Sequence, residues 1–318
     1  GRLPEAFRYA APGFSFTLLW LVDLRGGRAP QVVARWDSDT AAFSASRDGR
    51  ALIAAAPGRY AHPALYVIRP ETGETRTLFD EPDAQAAGKP QITPDGTRFA
   101  FAKRSARPSD GDLGLWAGGV DGGAIERIAE PSSPAIGPPM PHGWSTDGRW
   151  LAVGRGVPQT ITLVPARGGL PVVVGDGELI SWRAAAPELL IGVTGSDGRS
   201  RIDTFDVRTG ERRTILESPR RIVHVGWDPA GGRFVYVARA ASPDLLTLGD
   251  IWLRDADGGS SVRLDAPRGG SRPEWSPDGT MLTSLIGGDD STVGVFDHLS
   301  GRAVATVCRR GGTPGRCL

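Results

Sequence analysis

Pro273-Glu274-Trp275-Ser276-Pro277-Asp278-Gly279, followed by Met281-Leu282-Thr283, is the stretch that decides the fold. It encodes a short strand, a tight turn and an apolar strand. Pro presets φ at the first central position of the turn, Asp accepts local backbone hydrogen bonds, and Gly takes the positive φ that ends a tight hairpin. On this chemistry the motif is a hairpin and its acids, Asp48, Asp95, Asp147 and Asp278, are structural.

The same pattern recurs upstream, degraded in places. It reads Phe43-Ser-Ala-Ser-Arg-Asp-Gly49, Gln91-Ile-Thr-Pro-Asp-Gly96, His142-Gly-Trp-Ser-Thr-Asp-Gly148, Ile180-Ser-Trp-Arg183 and His224-Val-Gly-Trp-Asp-Pro229, each before an apolar run such as Arg98-Phe-Ala-Phe101 or Arg233-Phe-Val-Tyr-Val237. A second hairpin follows each first one, as in Leu65-Tyr-Val-Ile-Arg-Pro-Glu-Thr-Gly73 and Ile251-Trp-Leu-Arg-Asp-Ala-Asp-Gly258. Four antiparallel strands per repeat make one propeller blade.

With Ala45, Ile92, Trp144, Trp182, Trp227 and Trp275 as equivalent positions, the spacings are 47, 52, 38, 45 and 48 residues. A mean of about 46 residues divides 318 into nearly seven repeats. The N-terminal segments Ala6–Tyr9, Thr17–Leu24 and Gln31–Arg35 supply a repeat without its first strand. The expectation is therefore an all-β, single-domain propeller of four-stranded antiparallel blades over 1–318, seven-bladed with a three-stranded first blade. Its blades fall near 1–40, 41–88, 89–140, 141–177, 178–221, 222–270 and 271–308, with 309–318 as a tail. Six blades with an extra N-terminal hairpin is the alternative.

Composition agrees. Gly 44 and Pro 26 suit many turns and few helix interiors. No apolar run approaches the roughly 18 residues of a membrane span. A net charge of +1 provides no basic stripe for nucleic acid, so none is expected as a partner. Lysine occurs only at Lys89 and Lys103 and asparagine is absent, which points to a GC-rich bacterial source. The chain starts at Gly1, as expected of a processed or trimmed chain. Cys308 and Cys317 are the only cysteines, and their spacing allows a disulfide that would hold the tail beside the last blade in an oxidising compartment. Alternatively, Thr313–Leu318 supplies the missing inner strand of the first blade.

The Trp-Ser-Pro-Asp-Gly turn at 275–279, its degraded copies, and the Tyr-Val and Trp-Leu strands ending in Asp and Gly resemble the repeats of TolB-like propellers. The resemblance spans nearly the whole chain and implies the fold. It implies no single activity, because that group includes periplasmic adaptors, peptidase gating domains and polysaccharide lyases.

Motifs of standard hydrolases, zinc peptidases and nucleotide-binding loops are absent. His142 and His224 begin inner strands, where side chains reach one mouth of a propeller channel, with Gln91 and Glu274 on equivalent strands. They are the candidate channel-mouth binding residues, and as metal ligands they would resemble some propeller-fold lyases. Strand-end histidines are more often hydrogen-bonded surface groups, so no metal and no cofactor are expected. Asp255, Asp257, Asp289 and Asp290 lack the regular oxygen series of a calcium loop. Trp144, Trp182, Trp227 and Trp275 occupy the repeat's core position, leaving Trp36 and Trp150 as looser candidates for ligand stacking.

Inserts at Ser105–Asp112, Pro131–Pro141 and Ala240–Leu248 break the repeat, and long connections on a rigid frame carry recognition. Pro138, Met140, Leu245 and Leu246 are the rim-loop candidates. These residues lead to a non-enzymatic, periplasmic or extracellular module that binds a protein or envelope partner. The rival readings are a carbohydrate-active lyase or hydrolase working at the channel and an accessory subunit of a membrane complex.

Overall fold

The computed structural model describes the chain except residues 1, 12–13, 24–30, 37–41, 108–110, 132–137, 185, 240–248, 267–269, 277, 287–291, 298, 311–312 and 317–318. Side chains are also left undescribed at 2–11, 14–18, 20–23, 292–293, 305–310 and 313–316. The described residues form no helix and fall into seven antiparallel sheets. They belong to two compact units, one of 3–22 with 31–176, the other of 177–318 with 1–2 and 23–30.

In the first unit, β1 (Arg2–Ala11), β2 (Phe14–Asp23) and β3 (Gln31–Trp36) make a three-stranded sheet. Three sheets of four strands follow in chain order. They are β4 (Ala42–Ala45), β5 (Leu52–Pro57), β6 (Pro63–Arg69) and β7 (Glu74–Phe79); β8 (Ala84–Ile92), β9 (Arg98–Ser105), β10 (Asp112–Gly119) and β11 (Glu126–Ala129); and β12 (Met140–Trp144), β13 (Trp150–Arg155), β14 (Thr160–Pro165) and β15 (Val172–Asp176). In the second unit come β16 (Leu179–Trp182), β17 (Glu188–Thr194), β18 (Ser200–Asp206) and β19 (Arg212–Ser218), then β20 (Arg221–Trp227), β21 (Arg233–Arg239), β22 (Asp250–Asp255) and β23 (Val262–Arg263). The last sheet has five strands, β24 (Gly270–Trp275), β25 (Met281–Ile286), β26 (Thr292–Asp297), β27 (Ala303–Arg310) and β28 (Thr313–Arg316).

The first sheet thus lacks one strand, and the tail extends the last sheet, with Cys308 opposite Gly315 in the register. Whether Cys308 is bonded to Cys317 lies outside the described residues.

Each Ser/Thr-x-Asp-Gly turn has a buried hydroxyl at its centre. Ser145 Oγ donates to Asp147 Oδ1 and accepts from Trp150 N at 3.0 Å, while Asp147 Oδ1 accepts from Arg149 N at 3.0 Å. Ser46, Thr93 and Ser276 repeat this arrangement with Asp48, Asp95 and Asp278. Ser46, Thr93, Ser145 and Ser276 are all buried, so a local network replaces water for groups that would otherwise be stranded. Gly96, at φ 72°, closes one such turn, and a β-carbon on it would lie 3.1 Å from Ser46 Cβ of the preceding copy, whose neighbour Arg47 N donates to Pro94 O at 3.0 Å. The turns therefore also tie successive sheets together.

The strand after each turn is buried on both faces, which is why it reads as an unbroken apolar run. In β5, Ile53 and Ala55 pack with Phe99 and Phe101 of the third sheet, while Leu52 and Ala54 pack with Leu19 and Val33 of the first. The third and fourth sheets meet through Leu115 and Ile128 against Trp144 and Leu151. In the other unit, Leu190 and Ile202 meet Trp227 and Phe234, and Val235 and Leu253 meet Leu282 and Phe296. Trp144 Nε1 and Trp275 Nε1 each donate to the neighbouring inner strand, to Gln91 O at 3.2 Å and Gly226 O at 3.3 Å. Trp36 packs against the first core, Trp116 on β10 and Trp252 on β22 pack against theirs, and Trp150 is half-buried.

Three of the turn carboxyls, those of Asp48, Asp95 and Asp278, are held below the usual carboxylate range. For Asp278 the Ser276 hydroxyl contributes most, then the Thr280 amide and hydroxyl. For Asp48 and Asp95 partial burial acts in the opposite direction and is outweighed by the same kinds of donor. A depressed folded-state pKa contributes stability that is complete above the unfolded value of about 3.9 and is lost as pH falls through the folded value. The stability difference between wild type and Asp278→Asn is expected to stay constant from about pH 5 to 8 and shrink below about pH 4. Urea unfolding across pH checks this, and a difference that stays flat in acid would remove the charge contribution.

Ser145→Ala strands the Trp150 amide and is expected to cost about 1–3 kcal/mol. The exposed Arg149→Ala should stay within about 0.5 kcal/mol. Equal unfolding midpoints for the two would deny the hydroxyl its role.

Candidate functional site

The four channel-mouth candidates have different surroundings. Gln91, near the end of β8, is buried, and its amide Nε2 donates to Pro141 O at 3.3 Å while its carbonyl receives Trp144 Nε1. It thereby joins the third sheet to the strand that carries His142. In the other unit, His224 on β20 is half-buried beside Gly226, and Glu274 on β24 is exposed. Among the described residues no group of three or more His, Cys, Asp or Glu could hold a metal ion.

The inner strands share an irregular register. In β12, Pro141 opposes Val153 and Gly143 opposes Ala152, so His142 is the extra residue of a bulge. In β20 the extra residue is Val223, next to His224, and the pairing of β24 slips between Ser271 and Glu274. A bulge bends a strand and re-aims one side chain. Here the bulge turns the His142 ring over Gly154, where a β-carbon would lie 2.7 Å from His142 Nε2 and 2.3 Å from Gln159 Nε2.

His142 is consequently half-buried. Its Nε2 is buried and outside hydrogen-bond geometry, with the Gln159 side chain as its polar neighbour. Burial lowers the imidazole's pKa below its ordinary value, and the Gln159 side chain opposes this only in part, so the ring is neutral at pH 7. Gln159 Nε2 also reaches Met140 Sδ at 3.8 Å.

The same end of this sheet carries apolar surface. Met140 is 55% exposed, and Val157, in the turn between β13 and β14, is fully exposed and joined by a cis peptide to Pro158. Pro138 is exposed as well, just before β12. Half-buried Arg155 at the end of β13 adds a positive charge there.

Pro138 and Met140 were legible as insert residues. Val157, Pro158 and Gln159 were not singled out, although an apolar Val between Gly156 and Pro158 in a four-residue turn is the available signal. Leu245 and Leu246 lie outside the described residues, as do Asp289 and Asp290. Asp255 pairs with Arg233 Nε at 2.8 Å across its hairpin.

Two clefts sit elsewhere. One of about 660 Å³ lies at an end of the β16–β19 sheet, lined by Asp197, Arg199, Arg201, Glu217 and neighbouring serines. A smaller one of about 190 Å³ is lined by Val67, Arg69, Glu74, Arg76 and Asp121. Arg201 is engaged with the buried Asp203, which Arg212 and Thr214 also bind.

A histidine whose folded-state pKa is depressed contributes stability that is complete above its unfolded value, near 6.5, and lost as pH falls below it. Wild type is expected to lose stability from about pH 6.5 downward by an amount that His142→Gln does not show. Chemical unfolding between pH 7.5 and about 5 checks this, with the His142 ring proton titrating below the usual range by NMR.

No protein-family model and no curated protein matches this sequence. Solved structures do match in fold. An oligogalacturonate lyase in complex with manganese aligns at TM-score 0.63 with 14% identity, over 89% of this chain and 93% of the other. Oligogalacturonate lyase from Vibrio parahaemolyticus aligns at 0.62 with 11% identity, over 93% and 97%. TolB from Acinetobacter baumannii aligns at 0.55 with 15% identity, over 95% of this chain and 62% of TolB. At these identities the likeness is one of fold, and the fold is a β-propeller, as in these lyases and TolB.

Proposed function

From this β-propeller fold, we propose a non-enzymatic, extracytoplasmic interaction module that holds a protein partner of the cell envelope at the end of the β12–β15 sheet. The observation that carries the reading is the pair Met140 and Val157, large apolar side chains held exposed on rigid strands and a tight turn. Isolated exposed apolar residues need no explanation, but Pro138, Met140, Val157 and Pro158 share one end of one sheet. The polar inner-strand residue Gln91 is meanwhile engaged in joining sheets. No helix among the described residues is long and apolar enough to cross a membrane. The extracytoplasmic setting rests on the Cys308 and Cys317 spacing.

The test is cross-linked capture from the source's envelope extract, comparing wild type with the double variant Met140→Asp, Val157→Asp. Both positions are exposed, so the unfolding midpoint should hold. Capture of a stoichiometric partner should fall about tenfold or more, as for loss of two contacts near 1 kcal/mol each. Equal capture by the double variant overturns the reading.

A second reading is a carbohydrate-active enzyme. It is favoured by the buried His142 Nε2 and by the fold shared with an oligogalacturonate lyase in complex with manganese. On this reading, Mn²⁺ titrated into the chain binds at one equivalent, and His142→Ala abolishes it. Absence of binding removes its motive.

A further inference from the structure

We propose that Met140, His142 and Gln159 form a binding site for a soft monovalent metal ion, Cu(I) by its chemistry. Three observations meet at one point over Gly154. First, Gly154 has no side chain, and the space its β-carbon would fill is bordered by His142 Nε2 at 2.7 Å and by the Gln159 amide at 2.3 Å. Second, His142 Nε2 is buried outside hydrogen-bond geometry, with Gln159 as its polar neighbour, so its bonding capacity is left unmet. Third, Met140 is the cross-strand partner of Gly154, so its side chain stands on the same face, and its Sδ contacts Gln159 Nε2 at 3.8 Å.

The bulge refines the arrangement. Met140 and His142, two residues apart on β12, face the same side by strand alternation, and the bulge at His142 adjusts where its ring lies over Gly154. With it, a thioether and an imidazole flank a single amide. Gln159 occupies the gap between them and is long enough to swing out or to present its oxygen in place of its nitrogen.

The donors select the ion. A thioether, a neutral imidazole and an amide carry no formal charge and no hard anionic oxygen, which disfavours magnesium, calcium and manganese. Thioether sulfur selects Cu(I) among the biological metals, and imidazole accepts copper equally well. This site does not depend on a partner protein, and it shares only His142 with the manganese reading above while taking a different metal.

The experiment uses Ag(I) as a redox-stable probe, with Cys308→Ser and Cys317→Ser removing the thiols that would outcompete a thioether. The chain has only two methionines, Met140 and Met281, so ¹³C-methyl methionine labelling yields two assignable signals. One equivalent of Ag(I) is expected to shift the Met140 methyl and leave Met281 in place. His142→Phe should weaken the titration at least tenfold, and Met140→Leu, a change at an exposed position, should abolish one-to-one binding by calorimetry. Cu(I) itself, competed against bicinchoninate, should follow the same order among the three chains. An unshifted Met140 methyl overturns the site. So does a shift that His142→Phe leaves unchanged, which would mark a lone surface thioether.

Discussion

The structure depends on a buried hydroxyl. Ser46, Thr93, Ser145 and Ser276 each stand at the base of a hairpin, accept an amide from the strand that follows and donate to an aspartate two residues on. The bond fixes where the second strand begins. A slip of one residue there would exchange the two faces of a strand buried on both, and neither core would accept the other's side chains. Stacking of these turns, as at Gly96 against Ser46, carries the register from one sheet to the next.

Once that register is set, the inner strands have little freedom left. Gln91 and Trp144 bond across the third and fourth sheets, and Trp275 bonds back to Gly226. Gln91, which looks chemically promising in isolation, thus serves the contact between neighbouring sheets. What remains for recognition lies where strands end: the bulged start of β12, the Val157–Pro158 turn and the clefts at the sheet ends.

The bulge at His142 connects architecture with chemistry. An inner strand lies at the edge of its sheet, where irregular pairing is tolerated and blunts the unpaired edge. In β12 the same irregularity half-buries an imidazole beside an exposed apolar rim, so the chemical environment of His142 follows from a one-residue excess in strand pairing.

Local chemistry by itself determined the repeat, the strand boundaries near the turns, the three-stranded first sheet and the core role of Trp144 and Trp227, because each follows from turn preference and apolar runs within about ten residues. The same reasoning reached Pro138, Met140 and His142 but gave them different roles, since nothing local showed that Gly154 and Gln159 meet the face they share. Only the tertiary structure decided this. It depends on a bulge, on the missing β-carbon of Gly154 opposite Met140, and on Gln159 returning from the next turn, and contacts between strands fix all three. The tail was decided in the same way: its composition allowed either end of the sheet series, and pairing of β28 with β27 placed it in the last sheet.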